Sequence, residues 1–144
     1  MDQSAISSGS FKHSSAIQIR FADADLAGHV NNAVILSYFE TARVAFLDEM
    51  IGKENDWKSR SLILARTEVD YLKPIYLNDD IKVYSRISRI GSKSFTMENL
   101  LVKTDQGKEI PAARASFVLV CMDYIKKQTI EIPPAWKQKF QEEL

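Results

Sequence analysis

The sequence has few side chains that could bind a metal ion or form a disulfide. Its one cysteine, Cys121, leaves no second thiol for an internal disulfide. Cys121 also lies in an apolar run at residues 117–122, which favours an inert buried thiol over a catalytic one and predicts a reducing compartment, the cytoplasm. Only two histidines, His13 and His29, stand beside this cysteine, so ligands for a zinc site are lacking. The sequence therefore predicts no metal site.

An excess of charge of one sign is also missing. The 19 basic and 19 acidic side chains give a formal net charge of zero, without a lysine or arginine block that would follow a phosphate backbone. No apolar stretch approaches the roughly 20 residues that are needed to cross a bilayer. These absences argue against nucleic acid and membrane as partners.

The length of 144 residues predicts one domain. Residues 1–15 are rich in serine and lack an apolar core like that of a secretory signal, so they are predicted to form a flexible N-terminal tail. The single domain is then expected over residues 16–144. It opens with residues 16–22, whose alternation of apolar and polar side chains is typical of a half-buried strand.

A long helix is predicted after a loop at residues 23–32. Apolar residues recur at three- and four-residue spacing from Ala33 to Met50, and Asn31 or Asn32 is a natural N-cap. The apolar arc covers much of the circumference. We therefore expect the helix to be largely enclosed.

The second half of the chain is typical of strands. Stretches rich in β-branched and aromatic residues occupy residues 62–71, 80–90, 93–104 and 110–124, with turn residues between them. Short connections imply antiparallel neighbours. A short C-terminal helix is predicted over residues 135–144, with Trp136 and Phe140 facing inward.

This order of elements predicts an α+β fold in which an antiparallel sheet wraps around a long central helix. A sheet of this kind leaves an edge or a face that must be covered. In a chain this small, the usual solution is a two-fold dimer.

The loop at residues 23–32, with the sequence DADLAGHVNN, carries the chemistry that we expect. It places a carboxylate, a flexible glycine and two asparagines at the predicted helix start, so that a base or nucleophile lies beside free backbone N–H groups. Those are the parts needed to break an acyl bond.

This loop and the helix after it resemble a known family. Residues 20–32 and the run Tyr38-Phe39-Glu40-x-Ala42-Arg43 have the spacing of the D-x-x-G-H-V-N-N loop and the Y-F-E-x-A-R helix of hotdog-fold acyl-CoA thioesterases, in the 4-hydroxybenzoyl-CoA thioesterase-like family. The element order agrees from about Ala16 to Tyr124. One departure is Ile35, at a position where many relatives carry an aromatic residue.

The resemblance implies a hotdog fold and hydrolysis of an acyl-CoA thioester to free carboxylic acid and CoA. The acyl-CoA would be the partner, and no cofactor is implied, because CoA is part of the substrate. A homodimer or a dimer-of-dimers tetramer is implied as the assembly.

The resemblance assigns the catalytic carboxylate to Asp25. This carboxylate would either attack the thioester carbonyl or deprotonate a water that attacks it, and the sequence leaves both routes open. By position, the backbone N–H of Asn32 is the main donor to the oxyanion. Gly28 would let the chain turn tightly enough for the thioester to approach.

Two further side chains in this region, His29 and Glu40, have two interpretations each. His29 would either polarise the carbonyl or place the water, or it would hydrogen-bond the loop. Glu40 is a second candidate acid, since some hotdog thioesterases of another branch use a glutamate on the central helix, but a buried ion pair with Arg43 is the commoner outcome for such a residue. Asp23 is expected to cap a local turn.

Substrate-binding candidates lie in two places. Asn31 stands beside the oxyanion donor, although its side chain is also a candidate helix cap. The turn after the predicted strand at residues 80–90 offers two cations, hydroxyls and backbone donors that would grip the pantetheine or phosphate part of CoA across a dimer interface; its residues are Arg89, Gly91, Ser92, Lys93 and Ser94. An ordinary solvated hairpin is equally expected there. Lys73, Arg66 and Arg114 are weaker cationic candidates.

Two other functions stay open. Acyl carrier protein in place of CoA would require a positive rim, which a net charge of zero supports poorly. A non-catalytic module that binds acyl-CoA is the other alternative, and the presence of Asp25 argues against it.

Overall fold

A computed structural model describes residues 7–144. Its elements in chain order are β1 (His13–Ile17), α1 (Asn32–Ile51), β2 (Ser61–Tyr71), β3 (Asp80–Ile90), β4 (Ser94–Asp105), β5 (Lys108–Asp123), β6 (Gln128–Thr129) and α2 (Pro134–Gln141). Short 3-10 turns occupy Ser8–Ser10 and Phe21–Asp23. The predicted long helix and the four predicted strands of the second half agree with these bounds to within two residues.

The sheet is antiparallel throughout, and its strand order is β1-β3-β4-β5-β2, with β6 paired to β5. It curls around α1, so the predicted α+β arrangement is confirmed. The strand β2 pairs with β5 on one side and forms an edge of the sheet on the other.

The core lies between α1 and the inner face of the sheet. Alternate residues of the strands point inward, and they meet the buried side of the helix at Phe39, Ala42 and Phe46. One apolar cluster packs on the first half of α1, and a second joins its last turns to α2. In α2 both Trp136 and Phe140 are buried, as predicted.

The N-terminal boundary is corrected by the structure. The first strand begins at His13 and ends at Ile17, whereas a strand over residues 16–22 was expected. It ends early because the Asp23 carboxylate accepts the backbone N–H of Arg20, which draws residues 21–23 into a 3-10 turn.

The expectation of a flexible tail over residues 1–15 is wrong for its last part, and residues 1–6 lie outside the described residues. Phe11 is buried against Tyr84 on the outer face of the sheet, with ring centroids 5.8 Å apart. The His13 ring packs on Phe46 and lies 2.8 Å from Glu143. These contacts join the segment to distant parts of the chain. The serine-rich composition of the segment does not predict such contacts.

The prediction of a largely enclosed helix is wrong for this chain. Leu36 and Val44 are 38% and 55% exposed, and Glu40 on the same side of α1 is exposed as well. A single curled sheet covers only part of the helix circumference. Within residues 7–144, neither helix combines the length and the hydropathy that a membrane span requires.

Candidate active site

The start of α1 is built by Asn31 and Asn32. The Asn31 side chain is the N-cap and accepts a 2.8 Å hydrogen bond from the backbone N–H of Ala33. Asn32 is the first residue of the helix, so its main-chain N–H has no acceptor within the helix. The helix dipole makes this N–H a favourable place for negative charge.

Asp23 joins the loop to the helix. Its side chain is 2% exposed, and its carboxylate accepts hydrogen bonds from Tyr38 Oη at 2.5 Å and from the backbone N–H of Arg20 at 2.9 Å. Its carbonyl oxygen accepts the N–H of Asn31 at 3.1 Å. Asp23 therefore caps the local turn, as expected, and also fixes the loop against α1.

The contact between Asp23 and Tyr38 lowers the pKa of the carboxyl and raises the pKa of the hydroxyl. Burial would raise the pKa of the Asp23 carboxyl, but the hydrogen bonds from Tyr38 and Arg20 outweigh it and hold that pKa below its ordinary value. Burial and the neighbouring carboxylate raise the pKa of the Tyr38 hydroxyl. Asp23 is thus a carboxylate and Tyr38 a neutral donor at neutral pH.

Asp25 lies on the exposed tip of the same loop. Its Oδ1 accepts the N–H of Ala27 at 2.9 Å, and its own N–H donates to the carbonyl of His29 at 2.8 Å. Gly28 closes the turn by donating to the Asp25 carbonyl at 3.0 Å, and its φ of 83° is in the left-handed region that favours glycine. The turn presents an exposed carboxylate close in sequence to the start of α1.

A cavity of about 210 Å³ lies at the N-terminal end of α1. Its wall is contributed by the loop, by the first turn of α1 and by the chain between β2 and β3: His29, Val30, Asn32, Ile35, Tyr71, Leu72, Lys73, Pro74 and Ile75. The hydroxyl of Tyr71 donates to the carbonyl of Asn32 at 3.3 Å. The structure thus brings His29 and Asn32 together in one wall, while Asp25 lies on the adjoining loop outside that lining.

The His29 ring packs edge-to-face on Tyr76, with centroids 5.0 Å apart. Its main-chain carbonyl accepts the N–H of Asp25, a bond that does not involve the imidazole, and the residue lines the cavity. Both interpretations of His29 stay predictions.

Lys73, a weak cationic candidate in the sequence, lies at the cavity in the structure. It is exposed and lines the cavity, while Arg114 is buried against Asp70 on the sheet and Arg66 faces Glu68. The sequence around Lys73 does not indicate a binding site, because only the folded chain brings this residue to the start of α1.

Glu40 lies eight residues after Asn32, or about 12 Å along the helix. The predicted buried pair with Arg43 is wrong: Glu40 is exposed, and no ion pair within 4.0 Å joins the two in residues 7–144. The Arg43 guanidinium lies over the Phe117 ring at 4.8 Å, and its Nη1 is buried without a hydrogen-bond partner among the described residues. Burial lowers the pKa of Arg43, and the charge of Glu40 opposes this shift. The helix turns the two side chains to different neighbours, one to solvent and one to the sheet.

The predicted CoA-binding turn lies at the other end of the molecule. It follows the 11 residues of β3, and the adjacent apolar cluster packs on the last turns of α1. The expected free backbone donor at Gly91 is also corrected, because its N–H donates to the carbonyl of Ser94 at 2.7 Å. The hydroxyls of Ser92 and Ser94 and the cations Arg89 and Lys93 stay candidates, but they do not meet Asn32 of the same chain.

Comparison with known proteins gives a consistent result. The profile of a family described as the thioesterase-like superfamily matches residues 19–140. The chain is 29% identical over 119 residues to 1,4-dihydroxy-2-naphthoyl-CoA hydrolase of Synechococcus elongatus, covering 80% of this chain and 85% of that protein. It is also 29% identical to YsmA of Bacillus subtilis, an uncharacterised protein, over 63% of this chain and 61% of YsmA.

Among solved structures, the chain is similar to a thioesterase of Thermus thermophilus that was crystallised with coenzyme A and Zn. The two share 34% sequence identity with a TM-score of 0.78, over 92% of this chain and 94% of that one. This match confirms the hotdog fold that the sequence predicted.

Proposed function

This chain belongs to the thioesterase-like superfamily, and we propose that it hydrolyses the thioester bond of an acyl-CoA to give a free carboxylic acid and CoA. The observation that carries the proposal is the loop of residues 23–32, which presents the exposed Asp25 carboxylate and leads to Asn32, whose main-chain N–H has no acceptor within the helix and lies beside a cavity. No cofactor enters the proposed reaction.

In the proposed reaction, the thioester carbonyl lies at the first turn of α1. Attack on its carbon, by the Asp25 carboxylate or by a water that gives its proton to Asp25, places negative charge on the carbonyl oxygen. The main-chain N–H of Asn32 donates to that oxygen. Collapse of the intermediate breaks the carbon–sulfur bond and releases the CoA thiolate, and in the direct route water then hydrolyses the mixed anhydride.

The proposed assembly is a homodimer across the free edge of β2. Among residues 7–144 no strand pairs with the outer edge of the 11-residue β2, which lies next to the uncovered side of α1, and a second copy would cover both. Two-fold antiparallel pairing would bring the far end of the partner's sheet beside the start of this chain's α1. The turn at residues 89–94 would then reach the CoA bound near Lys73 of the other subunit. Assembly of two dimers into a tetramer, and location in the cytoplasm, stay predictions.

The test is release of free thiol from a panel of aliphatic and aromatic acyl-CoAs, with Asp25→Asn as the matched variant. Because Asp25 is exposed, the variant is expected to keep its melting temperature while kcat falls by about 10²- to 10⁴-fold. Near-normal turnover by Asp25→Asn would reject its role. If only acyl carrier protein thioesters are cleaved, or if acyl-CoA binds without thiol release, the corresponding alternative replaces the proposal.

A further inference from the structure

The chain between β2 and β3, residues 72–79, packs along the loop that precedes α1; we call it the β2–β3 connection. The N–H of Val30 donates to the carbonyl of Ile75 at 2.7 Å, and His29 forms an isolated antiparallel bridge with Tyr76. This pairing supports the loop from the side of the cavity. It is independent of the support that the loop receives from α1.

The imidazole of His29 is held by a ring contact and not by a hydrogen bond. Its ring packs edge-to-face on Tyr76, with centroids 5.0 Å apart and planes at 83°. In the part of the chain that the structure describes, neither ring nitrogen has a hydrogen-bond or ion-pair partner. A histidine that ties a loop would use a ring nitrogen to do so. The nitrogens of this partly exposed ring are therefore available to a ligand or to water.

Tyr76 is itself fixed from two sides. Its N–H donates to the Asp79 carboxylate at 2.8 Å, and its carbonyl accepts the N–H of Asp79 at 3.0 Å. The ammonium of Lys103, from β4, lies over the Tyr76 ring at 5.3 Å from the centroid and donates to the carbonyl of Pro74 at 2.9 Å. The Lys103 side chain is only 16% exposed, and partial removal from water strengthens the attraction of a cation to a ring face. Lys103 thus holds both the Tyr76 ring and the chain before it.

We propose that Tyr76 is a positioning residue, which fixes the imidazole of His29 for contact with a thioester bound in the cavity. The inference rests on the proposed function and assigns the ring of His29, rather than its main chain, to the reaction. A neutral imidazole has one donor and one acceptor, so it donates to the thioester carbonyl or accepts a hydrogen bond from the attacking water.

The ring contact matters because an unsupported imidazole occupies several rotamers. Displacement of a positioned group by about 1 Å lowers a rate by up to about 10²-fold. Tyr76 therefore acts through His29 and does not itself contact the reacting atoms.

The kinetic test compares Tyr76→Leu with Tyr76→Phe. Tyr76 is 43% exposed, so both variants are expected to fold. Tyr76→Leu is expected to lower kcat about tenfold with KM within about twofold of wild type, whereas Tyr76→Phe keeps the ring and nearly all of the activity. The matched control is Tyr124→Leu, since Tyr124 is 46% exposed and lies beside Lys58, after the end of α1. Its activity should equal that of wild type.

A double-mutant cycle shows whether Tyr76 acts through His29. His29→Ala is expected to lower kcat by about 10²-fold, the lower end of what a positioned proton-transfer group contributes. In the His29→Ala background, Tyr76→Leu should cause no further loss, because the ring that it positions is absent. Lys103→Met is expected to lower kcat by about threefold, and this loss should also disappear with His29→Ala.

A second readout does not depend on hydrolysis. The chain has only two histidines, so the imidazole ¹⁵N spectrum contains the signals of His13 and His29 alone. Saturation with S-hexyl-CoA, a thioether that cannot be hydrolysed, is expected to shift the His29 signals. The His13 ring packs on Phe46, away from the cavity, and serves as the internal control. The shift should persist in Tyr76→Phe and fall by at least about half in Tyr76→Leu, because the ring then occupies several rotamers.

Three results would overturn the inference: wild-type turnover by His29→Ala, an equal loss from Tyr76→Leu with and without His29, or His29 signals that the thioether leaves unchanged. A loss in Tyr76→Phe as large as in Tyr76→Leu would also reject it, since the ring would then not be the cause. If the thioether shifts His29 in a Tyr76-dependent way but no acyl-CoA is hydrolysed, the positioning of His29 stands and the proposed function fails.

Discussion

Tyr38 donates a 2.5 Å hydrogen bond to the buried carboxylate of Asp23, across 15 positions of sequence. This bond fixes the loop that carries Asp25 against the helix that begins at Asn32. The Asp23 carbonyl reinforces it by accepting the N–H of Asn31. The two halves of the candidate site therefore share one rigid support, in agreement with the preorganisation that a proposed oxyanion donor needs.

The main-chain role of Asn32 is testable with Asn32→Pro. Proline is well tolerated as the first residue of a helix, and Asn31 before it already has the extended conformation that proline requires, with φ −63° and ψ 140°. The variant is expected to fold and to lose about 10²- to 10³-fold in kcat, because only the N–H is removed. Asn32→Ala, which keeps the N–H, is the matched control and is expected to retain most of its activity. Equal activity of both variants would exclude this N–H as the oxyanion donor.

Stability is expected to depend on pH through Asp23 and Tyr38. Because the folded-state pKa of Asp23 is lowered, its contribution is present above the unfolded pKa of about 4 and is lost as pH falls through the folded value. The raised pKa of Tyr38 acts in the opposite range, so its contribution is complete below about pH 10 and declines above it. Urea unfolding of wild type and Tyr38→Phe, from acidic pH to above pH 10, measures both contributions to the free energy of unfolding. The variant should lose the decline in stability at high pH. An unchanged pH profile in Tyr38→Phe would show that the titration of this pair is not coupled to folding.

Gly28→Ala tests the backbone of the loop. An added Cβ meets no atom within 4 Å, so the effect comes from the φ of 83°, which costs a non-glycine residue roughly 1–2 kcal/mol. We expect a lower free energy of unfolding and reduced kcat, since the turn that carries Asp25 would shift. Gly9→Ala is the control, because Gly9 is exposed and has ordinary backbone angles. If the two variants were equally active and stable, the left-handed turn would have no importance for the site.

The proposed dimer is testable with Leu36→Lys. In the single chain Leu36 is 38% exposed, so a lysine there costs the monomer little. Across a covered face, however, it would bury a charge without a partner. We expect wild type to sediment as a dimer or tetramer and the variant to dissociate with its circular dichroism unchanged. A monomeric wild type, at concentrations that sustain turnover, would contradict the proposed assembly.

The sequence by itself determined the central helix and the strands of the second half, and it supplied the candidate site residues. Helical spacing from Ala33 to Met50, the Asn31 cap and the glycine turn before it are short-range features, and each acts on backbone atoms within a few residues. The strands of the second half follow from their β-branched pattern and from their turns. The family motif added the assignment of Asp25, which local patterns alone leave ambiguous.

Only the tertiary structure decided how residues far apart in the chain are partnered. Asp23 is buried because Tyr38 and Arg20 satisfy it, and Arg43 turns to Phe117 instead of Glu40 because the sheet lies on that flank. The position of Lys73 at the start of α1 depends in the same way on strand order and register. Burial and partner choice are properties of the whole packing arrangement, so no local pattern contains them.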